Sequence, residues 1–356
     1  MHNEKKIGFA LGGLAGNNAF GAGFLQAALD CEIKPDFISC TSGQIFWTLK
    51  YLQALEGGDS LETILMEEIE KASPYPFKDL NWMNLITSGL KGVYEPISTM
   101  ETMTEMSVNM MNSFKSITQT VASQKNMKNI SWFETMQSWK PSRTLRPART
   151  DQIFEDISAA FNRADIGIAL NGYAPLKGEE YVYLNEKARD TLGLQYGQEG
   201  GYRQRTFYYE ISAENLKKAL WLYQYGFPEG ITTIDGAYYR QIMLSELVGA
   251  DKVFVARPIN HQWLGDLPIN DVSAKDLQTE LLFNGSYIGE RDKIALINKL
   301  IEQGDLSKEK FNQVDLFELE IQTQEGFFDY VFEKPSVFNN AKEMATKLFK
   351  NPATWS

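Results

Sequence analysis

Three short stretches carry side chains that can do chemistry together. Cys40-Thr41-Ser42-Gly43-Gln44 sets a serine between a short apolar run, Phe37 to Cys40, and a segment with helical spacing, Gly43 to Leu55. A serine at so sharp a strand-to-helix junction is pushed above the sheet edge with its hydroxyl exposed, and the amide after it can help hold an oxyanion. Considered alone, a serine in that place is equally a helix N-cap. Asp235-Gly236-Ala237 follows the brief apolar run Ile231 to Ile234. Asp-Gly is a turn pair, but at the end of a strand parallel to the first its carboxylate stands at the same C-terminal sheet edge, where open α/β sheets place their sites. Gly12-Gly13-Leu14-Ala15-Gly16 lies between the apolar run Lys6 to Leu11 and a helical spacing from Ala19 to Leu29. Amides exposed at such a turn, backed by a helix N-terminus, form an anion-binding hollow. A nucleophile, a base and an oxyanion hollow are the parts of acyl transfer.

Other uses of the glycine-rich turn fail on residue type. A phosphate loop needs Lys after the second glycine of GxxxxG, but Gly16-Asn17-Asn18-Ala19-Phe20-Gly21 is followed by Ala22, and the glycines do not fit the dinucleotide pattern. Only two histidines exist, His2 and His261, so any Ser-His-Asp arrangement must run through one of them. His261 follows Ser42 and Asp235 in the order of elbow-type hydrolases, although a lone loop histidine is more often a hydrogen-bonding surface residue. Two distant histidines with Cys31 and Cys40 show no metal-ligand spacing, and neither a metal nor a cofactor is expected. With 46 acidic against 35 basic residues, a net charge of -11 and no Lys/Arg block, nucleic acid is excluded as a partner. The scarcity of cysteine suits a reducing compartment, so the expected location is cytoplasmic. The apolar stretch Ile7 to Leu29 is split by Asn17 and Asn18 and reads as a strand and a helix rather than a leader.

Strand, turn, helix, strand, turn, helix at the start predicts an α/β protein with a mainly parallel central sheet flanked by helices. Asp165 to Leu170, Glu180 to Leu184, Arg205 to Ile211 and Lys252 to Arg257 read as further strands, and Ala213 to Tyr223 and Arg240 to Val248 as helices. Between them, residues of about 85–147 read as a helical insertion without strands. Seven of the twelve methionines fall within Met100 to Met136, and Met103, Met106, Met110, Phe114, Ile117 and Val121 recur at helical spacing. Such a helix either packs on the core or serves as an apolar lid, with Trp132, Phe133 and Trp139 nearby. From about residue 270 a helical extension is expected: Ala274 to Phe283, Glu290 to Gln303, a strand at Val314 to Ile321, and a last helix from Ser336 to Phe349. The whole, residues 1–356, reads as one domain.

A strand leading into a Gly-Gly loop and helix, a Thr-Ser elbow at Ser42, and Asp-Gly-Ala at 235 before a helix and an apolar strand resemble the patatin-like phospholipases. The resemblance covers Lys6 to Leu55 and Tyr225 to Pro258. It implies a three-layer patatin-like fold and a histidine-free Ser-Asp dyad: Ser42 as nucleophile, Asp235 as its partner, and the amides of Gly12, Gly13, Leu14 and Gly43 as the oxyanion hole. Cys40 and Gln44 stand where the family has glycines, and Leu14 and Asn17-Asn18 where it has a third glycine and a basic residue. The implied activity is hydrolysis of a lipid or other acyl ester through an acyl-enzyme. A transient membrane-surface contact would be made by the Met-rich segment, since the net charge gives no attraction to anionic lipid. The alternative is a patatin-fold protein without catalysis that binds a lipid or a protein partner.

Overall fold

The computed structural model of the chain describes residues 5–14, 17–72, 94–122, 145–147, 151–200, 203–227, 230–269, 271–307, 311–323 and 334–355. In chain order these hold β1 (Ile7–Leu11), α1 (Asn18–Asp30), β2 (Phe37–Cys40), α2 (Gln44–Leu55) and α3 (Leu61–Ala72). The Met-rich stretch follows as β3 (Tyr94–Pro96), α4 (Thr99–Ala122) and β4 (Leu145–Pro147). Then come α5 (Gln152–Arg163), β5 (Gly167–Ala174), β6 (Glu179–Leu184), α6 (Glu186–Leu192), β7 (Thr206–Glu210), α7 (Ala213–Ala219) and β8 (Ile234–Asp235). The last elements are β9 (Lys252–Arg257), α8 (Asp271–Gln303), β10 (Asp315–Glu320) and α9 (Pro335–Lys350).

The protein is an α/β structure whose central sheet has the order β10-β9-β1-β2-β5-β6-β7. The first five of these strands are parallel, and β6 turns back antiparallel to β5 and carries β7 parallel to itself. Strands covered on both faces read as continuous apolar runs, and β9 is buried at every residue. Its Phe254 and Ala256 enter the layer built with α1, α2, α5 and α9, while Val253 and Val255 enter the layer with Ile242, Leu247 and the α8 residues Tyr287 and Ile294. Helix α1 is buried from Asn18 to Ala28, as expected of a helix apolar all round.

Four expectations are corrected. Asp235 is not on a parallel strand: β8 is a two-residue segment paired antiparallel to β5, Gly172 opposite Asp235. Arg240 to Val248 is not one continuous helix and holds only a 3-10 turn, Ser245–Leu247. Its groups are bonded sideways instead, Ser39 Oγ donating to the Met243 carbonyl, Thr41 Oγ1 to the Gln241 carbonyl, and the Leu244 and Ser245 amides donating to Glu290 Oε2. Backbone groups so occupied cannot form the i to i−4 ladder. The two helices expected beyond residue 270 are the single 33-residue α8, which carries Gly285 and Gly289 in its interior without breaking; a glycine there costs about 1 kcal/mol, unlike proline, which breaks a helix. The Met-rich stretch is not free of strands, since β3 and β4 pair antiparallel. On α4, Met100, Met103, Met106, Met110, Met111 and Phe114 are exposed. Trp132, Phe133 and Trp139 lie outside the described residues, as do the side chains of Ile117 and Val121. Among the described residues no helix is long and apolar enough to cross a membrane.

Candidate active site

Beyond Cys40 the chain leaves β2 and turns into α2 through Ser42, whose φ of 52° lies in the left-handed region. There Cβ crowds the following carbonyl at roughly 1–2 kcal/mol for any residue but glycine. The turn is closed by Gln44 N–H donating to the Thr41 carbonyl at 3.1 Å and Ile45 N–H to the Ser42 carbonyl at 3.0 Å. Strain is thus concentrated on one half-buried serine at a strand-to-helix junction.

Sheet register brings Asp235 to the same level. Ser39 lies opposite Ala169 on β5, three residues further along β5 Gly172 is the partner of Asp235, and the Asp235 carboxyl feels the Ser42 hydroxyl. The Asp235 side chain is 1% exposed. Its Oδ1 accepts from the Ala237 amide at 2.8 Å, while Oδ2 is buried with no closed hydrogen bond. Burial pushes the carboxyl up to about 7, against the pull of the Ser42 hydroxyl and then of the Ala237 amide. The Ser42 contact is thus a loose one.

One hydroxyl next to the serine ties the loops together. Thr41 Oγ1 donates to the Gln241 carbonyl at 2.6 Å and accepts from Gly13 N–H at 2.9 Å, and Gln241 Nε2 donates to the Gly13 carbonyl at 3.0 Å. A Cβ at Gly13 would lie 2.2 Å from the Thr41 carbonyl oxygen and 2.6 Å from Ser42 Cβ, so the glycine-rich loop rests directly on the elbow. The sequence named Thr41 only as the residue before the serine in the Thr-Ser elbow, and it did not single out Gln241.

The expected oxyanion amides are placed differently from the empty hollow the sequence suggested. Gly12 N–H donates to the Ala256 carbonyl at 3.2 Å, Gly13 N–H to Thr41, and Leu14 N–H to Asn18 Oδ1 at 2.9 Å. Of the four, Gly43 N–H alone has no acceptor among the described residues. The two residues departing from the family glycines are both accommodated. Gln44 is fully buried with Nε2 donating to the Asn18 carbonyl at 3.0 Å, in room made by Gly21, where a Cβ would lie 2.4 Å from the Gln44 amide. Cys40 is buried, and burial pushes its thiol up to about 12 despite the nearby Thr48 hydroxyl, so it is inert.

No family model matches the chain, and no curated protein does.

His261 does not join the pair. It is half-exposed, with Nδ1 2.6 Å from Glu320 Oε1 and its N–H donating to Glu320 Oε2 at 3.0 Å. Among the described residues no group of His, Cys, Asp and Glu side chains is placed to hold a metal ion.

Behind the Asp235 turn lies an ionic cluster that sequence reading missed. Arg240 is fully buried and meets Glu180 Oε1 at 2.7 Å, Glu246 Oε2 at 2.7 Å and Glu290 Oε2 at 3.2 Å, and Arg203 reaches Glu290 Oε1 at 2.5 Å. Burial pushes Glu246 up, whereas at Glu290 the Arg240 and Arg203 guanidiniums outweigh burial and hold its carboxyl low. Asn171 joins the cluster to the turn, its Nδ2 donating to Glu180 Oε1 at 2.9 Å and to the Arg240 carbonyl at 3.2 Å, while Arg240 N–H donates to the Gly236 carbonyl at 2.8 Å. Gly236, the residue after Asp235, is therefore tied to the cluster through Arg240.

Proposed function

We propose that this protein is a patatin-like serine acyl-ester hydrolase acting on lipid or other acyl esters through Ser42 and Asp235. The observation that carries the reading is the pairing of a left-handed serine at a strand-to-helix turn with a buried carboxylate whose Oδ2 is free of other partners. Asp235 takes the Ser42 hydroxyl proton, Ser42 attacks the ester carbonyl, and water later releases the acyl-enzyme with Asp235 again as base. A carboxyl near 7 is a far better base toward an alcohol than an ordinary aspartate, because the catalytic group should titrate close to the working pH. Two fixed loops, tied through Thr41, supply the positioning that a dyad without histidine needs. The exposed methionines of α4 suit irregular acyl chains and a transient lipid-surface contact. Two free cysteines fit a cytoplasmic location.

A second reading is a protein of the same fold that binds lipid or a partner without turnover, favoured by the occupied amides of Gly12, Gly13 and Leu14. A fluorophosphonate probe separates the two. Labelling of the wild type and not of Ser42→Ala supports the hydrolase; no labelling, with no esterase activity over a panel of acyl chain lengths, leaves the binding protein.

A further inference from the structure

The glycine-rich loop has its amides engaged, which leaves the site one visible oxyanion donor, Gly43 N–H. A second unengaged donor stands beside it. Asn18, the first residue of α1, is 5% exposed. The orientation of its amide is fixed by what it receives: Leu14 N–H donates to Oδ1 at 2.9 Å and Gln44 Nε2 lies 3.5 Å from the same atom. Two donors require an oxygen there, so the other atom is Nδ2, a group with two N–H bonds. Among the described residues nothing accepts from Nδ2.

Its position follows from Gly43. That glycine has φ -61° and ψ -16°, an ordinary right-handed conformation open to any residue. What excludes a side chain is space: a Cβ at Gly43 would lie 2.0 Å from Asn18 Nδ2, against 3.3 Å from Oδ1. A Cβ at the start of a helix tilts toward the helix N-terminus, the end toward which the first free N–H groups also point. Nδ2 of Asn18 and N–H of Gly43 therefore stand together at the N-terminus of α2, next to Ser42.

Resting on the hydrolase reading above, we propose that the Asn18 side-chain amide and Gly43 N–H form the oxyanion hole, in place of the loop amides and of the basic residue that the Asn17-Asn18 pair replaces. In the acylation step the Ser42 O–H bond breaks and its proton passes to Asp235 Oδ2. The Oγ–C bond forms, and the carbonyl electron pair moves onto the ester oxygen, which accepts from Nδ2 and from Gly43 N–H. Collapse restores the carbonyl and expels the alcohol oxygen, which takes the proton back from Asp235. Asn18 is by this account a catalytic residue that also keeps Leu14 in place through its other atom.

Asn18→Asp separates the two roles, since it keeps an oxygen for Leu14 N–H and replaces the donor with an acceptor. With a short-chain acyl ester, kcat should fall about 100- to 1000-fold, the usual loss for one oxyanion donor, with KM within about threefold. Affinity for a trifluoromethyl ketone, which forms a tetrahedral adduct on the serine, should fall by a similar factor, while an unreactive ether analogue binds as before. Gly43→Ala is compatible with its backbone and displaces Nδ2, so it should give the same kcat defect, and the double variant should be no worse than either single one. An active wild type with both variants within about threefold in kcat overturns the proposal and leaves the hydrolase standing. Equal losses of ketone and ether affinity overturn it as well, by assigning Asn18 to folding alone. A wild type that neither labels nor turns over overturns both readings.

Discussion

Changing Asp235 to Asn should make the protein more stable, and by an amount that grows with pH. Asp235 titrates near 3.8 when unfolded and is pushed up to about 7 by burial in the folded protein. A carboxyl raised on folding favours the folded state while protonated in it, and that advantage is lost as pH rises through the folded value. Each unit between the two corresponds to about 1.36 kcal/mol. Relative to a group that does not titrate, Asp235 therefore opposes folding by roughly 1.6 kcal/mol at pH 5, where it must take up a proton on folding, and by about 4 kcal/mol at pH 8, where it is buried ionised. Asparagine keeps the shape and abolishes the titration. Unfolding entropy for a chain of 356 residues is about 0.7 kcal/mol per kelvin, so the pH 8 difference corresponds to roughly 5 °C in Tm. Scanning calorimetry of both proteins at pH 5, 6, 7 and 8 makes the comparison, and other titrating groups cancel in the difference. A gap that stays flat from pH 5 to 8 refutes the raised carboxyl and, with it, the base.

Three further outcomes follow from the same geometry. Ser42→Gly should exceed Ser42→Ala in stability by about 1 kcal/mol in urea titrations, because both lose the hydroxyl and only glycine relieves the left-handed φ. Arg240→Met leaves the Glu180, Glu246 and Glu290 carboxyls buried without their shared cation and should destabilise by about 3–5 kcal/mol by the same measurement. For the wild type, kcat/KM toward an acyl ester should rise with pH through about 7 to a plateau, and His261→Ala should keep both the midpoint and the plateau within about twofold; a lost limb in that variant would restore a triad.

Much of the sheet was legible because its strands are buried on both faces. Phe37–Cys40 and Lys252–Arg257 stand out as short, mainly apolar segments, and their observed bounds coincide with the expected ones. Periodicity misled where side chains from elsewhere capture the backbone, as Glu290, Ser39 and Thr41 do over residues 240–245. The elbow was readable from its junction, but the sign of φ at Ser42 was not. Nor was the direction of β8, since two residues carry no periodicity. Glu180, Arg203, Arg240, Glu246 and Glu290 converge from separate parts of the chain, and only two charged residues bracketing the apolar run Ile242 to Leu244 hinted that something paired them. The Asn17-Asn18 pair was visible as a departure from a basic residue; its donor became apparent only with Gly43 beside it.

The antiparallel pairing of β8 with β5 has a consequence for how the protein comes to work. Ser42 arrives from the first segments of the chain and Asp235 from far downstream, on a two-residue strand paired with β5, which in turn pairs with β2. Helices form in microseconds or less, whereas pairings between distant segments are slow. On the hydrolase reading, helical circular dichroism should therefore return first during refolding and labelling of Ser42 by a fluorophosphonate last.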